Sequence, residues 1–293
     1  MERAFKQNII SIYGIEGKQW LKALPEITSE IAKEYNLSNL KPINNLSYNY
    51  VLSGFQGSQP VILKLGLDVG GFKREAAALM ALKNFGVVQV FSENAGLLLL
   101  ECATPGVSLK SYFPANDNEA INITANVIKR LHKATIPSAY TFPHIKDWLT
   151  ALDSELNIPA QTLQRAREVR DQLLKTAGSD VLLHGDLHHD NILQNSDDWV
   201  VIDPKGVIGE LAYEVAAFIR NPMPELLTHE NAQKIIHNRI TRFAELLELP
   251  AKRILDWCFV QAVLAWIWAL EDSCDASYSV QQTKIFDAMP FNE

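Results

Sequence analysis

The run His184-Gly185-Asp186-Leu187-His188-His189-Asp190-Asn191-Ile192-Leu193 places an asparagine five residues after an aspartate. The apolar run Val200-Val201-Ile202 then ends in Asp203, twelve residues after Asn191. Two strands flanking a loop would bring Asp186, Asn191 and Asp203 to one edge. Phosphoryl transfer uses such a set. One carboxylate orients the acceptor hydroxyl and takes its proton, while an amide oxygen and a second carboxylate hold Mg²⁺ against the phosphates. Two other readings stay open at this point. Asp and Asn also serve as plain turn residues. His184, His188, His189 and Asp190 could hold zinc, although a His pair four residues apart suits a metal only on a helix face, and Gly185-Asp186 between strands speaks against a helix.

The pattern His-Gly-Asp-x-x-x-x-Asn with a downstream Ile-Asp resembles the aminoglycoside phosphotransferase superfamily, whose fold is shared with protein kinases. The stretch from His184 to Pro222 is most similar to its streptomycin 6-kinase and hydroxyurea-resistance branch. That stretch includes Asp203-Pro204-Lys205-Gly206, Gly209-Glu210, Tyr213-Glu214 and Ile219-Arg220-Asn221-Pro222. The resemblance covers nearly the whole chain in layout, including Trp20-Leu21 and Leu24-Pro25, and is dense in motifs only over 181–222. It implies an α+β, protein-kinase-like bilobal fold with a small β-containing N-lobe and a larger, mainly helical C-lobe. It also implies Asp186 as the catalytic aspartate, Asn191 and Asp203 as magnesium ligands, and ATP or GTP with Mg²⁺ as cofactors. His184 would brace the loop.

The nucleotide should sit against the N-lobe. Lys64 lies inside the apolar run Val61-Ile62-Leu63-Lys64-Leu65. An ammonium there needs an anionic partner, which ATP phosphates supply. Glu75, following Lys73-Arg74, is the natural brace, matching the family's Lys–Glu pair. No glycine-rich phosphate loop is present: residues 44–49 read Asn-Asn-Leu-Ser-Tyr-Asn, leaving Ser47 and Asn49 as side-chain donors beside the backbone amides of a tight turn. A Walker-type loop is absent as well. By resemblance, Leu98 to Ala103 forms a hinge, with backbone groups around Glu101 and Ala103 meeting the adenine edge.

Several elements must position these residues. Trp20, Leu21, Leu24, Ile27 and Ile31 predict helix over 17–34, broken near Pro25. Alternation from Tyr48 to Leu52, turn formers from Gly54 to Pro60 and the run 61–65 predict a β-hairpin. Helix follows over 72–85 and a strand over 97–101, and Thr104-Pro105-Gly106 breaks the pattern. The division is therefore 1–101 for the N-terminal helices and nucleotide-binding lobe, and 102–293 for the C-lobe. Beyond the boundary, helices are expected over 121–131, 161–177, 211–219, 228–248 and 251–271. Strands are expected over 181–183, 192–193 and 199–202.

Composition limits the rest. The chain has 293 residues with 27 Lys and Arg against 34 Asp and Glu, a formal charge of −7. It has no basic run to replace phosphate counterions, so nucleic acid is not an expected partner. Cys102, Cys258 and Cys274 form neither a metal pair nor a disulfide framework, which fits a reduced, cytoplasmic protein. Glu2, Arg3 and Lys6 precede no apolar signal core. The stretch Trp257–Leu270, interrupted by Gln261, reads as a buried helix rather than a membrane span. The resemblance, with the acidic charge, implies a small hydroxylated acceptor, a cationic, streptomycin-like aminoglycoside first and hydroxyurea second. Asp190, Glu271 and Asp272, with Glu210, Glu214 and Asp275, are candidate acidic groups for meeting it. The alternative is a nucleotide-binding module without turnover, against which the intact Lys64, Asp186, Asn191 and Asp203 argue. A protein acceptor is disfavoured by the lack of His-Arg-Asp and Ala-Pro-Glu motifs.

Overall fold

The computed structural model describes residues 3–44 and 46–291; Glu2, and Asn45 of the expected phosphate-facing stretch, lie outside the described residues. The first helix, α1 (Arg3–Glu34), buries Phe5, Ile9 and Leu24. Its break falls at Gly14, where φ is 55° and ψ −120°, and not at Pro25, which the helix carries inside it. Glycine takes that conformation at little cost. The helix around Pro25 survives its missing N–H because Leu24 is fully buried against the N-lobe core.

A five-stranded antiparallel sheet follows, in the order β1-β2-β3-β5-β4. Its strands are β1 (Leu37–Pro42), β2 (Tyr50–Gln56), β3 (Gln59–Leu65), β4 (Val90–Asn94) and β5 (Leu97–Glu101). The hairpin turns in two residues, Gly57 and Ser58, with Gly57 at φ 61°. Gly54 and Phe55 stay in β2, so the turn is tighter than the run of turn formers predicts. Gly54 is there for a different reason: a Cβ on it would meet Ser38 O of β1 at 2.9 Å. In the ladder Lys64 of β3 lies opposite Leu98 of β5. Helix α2 (Val69–Ala81) lays Phe72, Ala76 and Leu79 on the sheet, and Asp68 caps it by accepting the Gly71 N–H.

After β5 the chain becomes mainly helical. It runs through β6 (Pro105–Ser108), α3 (Asp117–Leu131), α4 (Ile145–Leu149), α5 (Ala160–Lys175), β7 (Val181–Leu183), β8 (Ile192–Asn195), β9 (Asp198–Val201) and β10 (Val207–Gly209). Then come α6 (Leu211–Ile219), α7 (Glu225–Thr228), α8 (Ala232–Leu247), α9 (Ala251–Glu271) and α10 (Ser277–Ala288). By length and composition α9 could cross a membrane, yet 67% of its apolar window is buried. Trp257, Cys258, Val260 and Val263 on it have no exposure and centre the C-lobe core. The expected buried helix is what forms.

Two small sheets present the chemistry-bearing loops. β7 pairs with β10, and β8 pairs with β9 and β6. The β7–β8 loop therefore carries 184–191 and the β9–β10 loop carries 202–206, side by side. One edge of the lobes is sewn together: Val88 N donates to Val201 O at 3.2 Å, and Val201 N to Gly86 O at 2.9 Å.

Candidate active site

Lys64 joins the two lobes. Its Nζ donates to Glu75 Oε2 at 2.6 Å and to Asp203 Oδ1 at 2.7 Å. Lys205, two residues past Asp203, donates to Asp203 Oδ2 at 3.2 Å and stands 3.9 Å from Asp186 Oδ2. The charges are shared along this row. Burial works against the Lys64 ammonium, but Asp203 and Glu75 hold its pKa above the usual lysine value. Burial also opposes ionisation of Asp203; Lys64 and Lys205 overcome it and keep that carboxyl well below the usual range. Glu75 has one cation to itself only in part, and burial pushes its carboxyl up to about 7. Asp203 holds φ 59°, a left-handed conformation that Asp tolerates better than most side chains.

The loop carrying Asp186 is held by its backbone. Glu214 of α6, 1% exposed, accepts the His184 N–H at 2.7 Å and the Gly185 N–H at 3.0 Å. His184 is fully buried, with Nε2 2.8 Å from Ile202 O and Nδ1 accepting the Asp186 N–H at 3.2 Å. That pairing puts the proton on Nε2. Burial pushes the pKa of the imidazole down, so the ring is a neutral brace between the two loops. Gly185 has φ 82°, and a Cβ there would meet Val207 at 2.9 Å and Trp148 at 3.1 Å. Asn191 Nδ2 donates to Asp186 O at 2.9 Å, closing the loop on itself. On the far side His189 stacks on Phe218 at 3.8 Å and sits 3.3 Å from Arg239 Nη2. Arg239 in turn grips Asp117 through Nε and Nη2. Asp190 and the histidines are thus loop residues. Among the described residues no cluster of three or more His, Cys, Asp and Glu could hold a metal ion, so the zinc reading has no site.

These walls enclose a cavity of about 730 Å³ between the lobes. Asn49, Lys64 and Glu75 line it from the N-lobe, and Asp186, Asp203 and Lys205 from the C-lobe. Trp148, Tyr213, Arg220, Gln261, Leu264 and Trp268 line it as well. Other expected residues lie elsewhere. Ser47 is exposed and does not line the cavity; its carbonyl takes the Asn8 side chain at 3.2 Å. The Glu101 carboxylate is spent on Gln89 N at 3.0 Å and Asn195 Nδ2 at 2.9 Å, so only backbone near 101–103 is left to meet a base. Ala103 is buried in the connector. Asp190, Glu271 and Asp272 are exposed and outside the cavity lining. Glu210 is turned to Arg253 at 2.7 Å and to Trp257 Nε1, anchoring α9 rather than facing the cavity. Sequence reasoning passed over Lys205, Trp148, Arg220 and Trp268. Lys205 and Arg220, both inside the matching stretch, carried a local signal; Trp148 and Trp268 carried none.

A hard cation asks for oxygen ligands. Asp203, whose side chain is 36% exposed, offers carboxylate oxygens, and Asn191, whose amide nitrogen is used on Asp186 O, offers its amide oxygen. That donor set fits Mg²⁺ as a partial shell to be completed by phosphates and water. Asn191 is buried behind Asp186 and does not itself line the cavity.

Residues 43–273 match the family described as aminoglycoside/hydroxyurea antibiotic resistance kinase. The chain is 28% identical over 233 residues to a streptomycin 3''-kinase of Klebsiella pneumoniae, covering 76% of this chain and 85% of that one. It is 22% identical over 278 residues to a streptomycin 6-kinase of Streptomyces glaucescens, covering 90% and 89%. In fold it is similar to a crystal structure of a thermostable mutant of aminoglycoside phosphotransferase APH(4)-Ia in ternary complex with ADP and hygromycin B. There the TM-score is 0.68 at 15% identity, over 89% of this chain and 96% of that one.

Proposed function

The chain belongs to the aminoglycoside/hydroxyurea antibiotic resistance kinase family, and from that premise we propose that it moves the γ-phosphoryl of ATP to a hydroxyl of an aminoglycoside-type antibiotic in the cytoplasm. Hydroxyurea is the second acceptor to test. The observation that carries this reading is the common wall formed by Lys64, Asp203, Lys205 and Asp186 on one interlobe cavity. Lys64, aligned by Glu75 at 2.6 Å, meets the nucleotide phosphates. Asn191 and Asp203 would hold Mg²⁺, which when bound neutralises charge on the phosphates. Lys205 stands between Asp203 and Asp186 and adds positive charge where the phosphoryl group passes. Asp186 aligns the acceptor hydroxyl and accepts its proton late, as a loose transition state demands little early proton removal. We place the lobe boundary at 101–102, so that the connector covers the base.

Streptomycin is favoured because two similar kinases, 28% and 22% identical, are named for it. Their names point to different hydroxyls, so the position modified must be read from the product. A module that binds nucleotide without turnover is disfavoured, since the reacting set is intact. The test is consumption of ATP, and separately of GTP, with purified protein and streptomycin, other aminoglycosides or hydroxyurea, followed by mass analysis of the acceptor. A gain of 80 Da, the mass of one added PO₃H group, on an aminoglycoside is the expected result. No turnover on any of them, with ATP still bound, removes the acceptor assignment.

A further inference from the structure

The carbonyls at the end of α6 are satisfied without the Arg220 side chain. Arg220 N closes on Ala216 O at 3.1 Å, and Asn221 Nδ2 donates to Ala217 O at 2.8 Å. Arg239 donates to Phe218 O at 3.2 Å, to Ile219 O at 3.3 Å and to Asn221 O. Tyr278 and Gln282 donate to Arg220 O at 3.0 and 2.6 Å. A guanidinium at a helix C-terminus commonly serves such carbonyls. Here that duty is taken.

The Arg220 side chain instead lines the interlobe cavity. Its Nε is buried without a partner, and its one side-chain contact is Nη2 to Gln261 Oε1 at 3.4 Å. Lys64, Arg74 and Lys205, the other cations of the lining, each have a carboxylate within 4.0 Å. Among the described residues Arg220 has none. A buried N–H of a cation left without an acceptor is costly until something supplies one. Its neighbours in the lining are set for recognition. Gln261 Nε2 is tied to Tyr213 O at 2.7 Å, and Trp148 stands edge-on to Trp268 at 6.2 Å.

We propose that Arg220, seconded by Gln261, receives a carbonyl or carboxylate oxygen of the acceptor molecule. The body of that molecule lies against Trp148 and Trp268, and its reacting hydroxyl points to Asp186. The inference rests on the kinase reading for the position of that hydroxyl. It reverses the electrostatics expected from the acidic composition, because Asp190, Glu271 and Asp272 are outside this wall. The acceptor's far end is recognised by a cation, not by carboxylates.

Trp148 and Trp268 make intrinsic fluorescence a reporter of this wall. The full chain, loaded with a non-hydrolysable ATP analogue, is titrated with hydroxyurea as the carbonyl probe, glycolate as the carboxylate probe and streptomycin as a polycation. A saturable change with hydroxyurea or glycolate is expected, and the difference between them tells carbonyl from carboxylate. Arg220→Met should weaken that binding about ten- to hundred-fold, the span of a hydrogen bond to a charged group, with affinity for the ATP analogue unchanged. Gln261→Glu sets a carboxylate against the guanidinium and should weaken it as well, which keeps the test sharp if Arg220→Met folds poorly. Streptomycin binding weakened by Arg220→Met would assign the contact to one of its oxygens. The proposal is overturned if every probe that binds does so equally well to Arg220→Met, or if none binds while the ATP analogue does. A wild-type chain that fails to bind the ATP analogue sinks the kinase reading and this inference with it.

Discussion

Glu214 Oε1 receives the backbone N–H of Gly185 at 3.0 Å, so a carboxylate on α6 fixes the peptide that leads directly into Asp186. The other oxygen takes the His184 N–H at 2.7 Å. Glu214→Gln replaces one acceptor by a donor facing an N–H and leaves that amide unpaired. An unsatisfied buried group costs about 1–3 kcal/mol. The variant should melt several degrees lower and lose turnover more than nucleotide affinity, read by thermal melting and by kcat against the dissociation constant for ATP. Unaltered melting would mean that the two bonds hold nothing.

Asp186→Asn keeps the shape of the side chain and removes its charge. Proton-transfer catalysis contributes roughly 10²–10⁴-fold, so kcat at saturating acceptor should fall by about that factor. Nucleotide affinity should hardly change. Near-normal kcat in the folded variant would reduce Asp186 to a turn residue.

Asp203→Ala tests the proposed magnesium site directly. Asp203 is bonded by Lys64 at 2.7 Å and by Lys205 at 3.2 Å, while Lys64 keeps Glu75 when Asp203 is gone. Calorimetric binding of ATP with and without Mg²⁺ should show a strong metal dependence in the wild type and its loss in the variant. The same dependence in both would remove Asp203 from metal binding.

Glu75 gives a pH signature with a definite sign. Its carboxyl is raised by burial from 4.5 to about 7. Between those values the folded chain holds a proton that the unfolded chain has released, so this residue's contribution to stability is present below 4.5 and is lost as pH rises through about 7. The melting temperature of the wild type, minus that of Glu75→Gln, should therefore fall across this window. A flat difference would show that Glu75 titrates normally. In the opposite sense, the Lys64–Glu75 attraction is complete only above about pH 7, so nucleotide binding should strengthen with pH in the wild type and not in Glu75→Gln.

The parts of the fold legible in the sequence are those fixed by local apolar runs. Val181–Leu183 and Leu97–Glu101 form strands with the expected bounds, and Ala251–Glu271 forms the expected helix. The Lys64–Glu75 pair is legible because a lone cation in an apolar strand demands an anion; the second anion it meets, Asp203, was expected only as a metal ligand. Strands β1, β4 and β10 carry little alternation and exist through partners distant in sequence, such as Val207 against Leu183. The aromatic wall of the cavity has no local signal either. Trp148 on α4 and Trp268 on α9 come together only through tertiary packing. Counting acidic residues could not tell which face each would occupy, so the exposed Asp190, Glu271 and Asp272 looked as eligible as any.

The stitches from Val201 to Gly86 and Val88, with the Glu101–Asn195 bond nearby, make that edge of the molecule a spine. None of these residues lines the cavity. If the lobes part, they part like a book: Asn49 and Asp68 of the lining belong to one page and Gln261 and Trp268 to the other, while the binding stays shut. Leverage follows from this arrangement. A covalent staple across the fore-edge would imprison whatever lies inside, whereas the same staple along the spine would leave traffic unhindered.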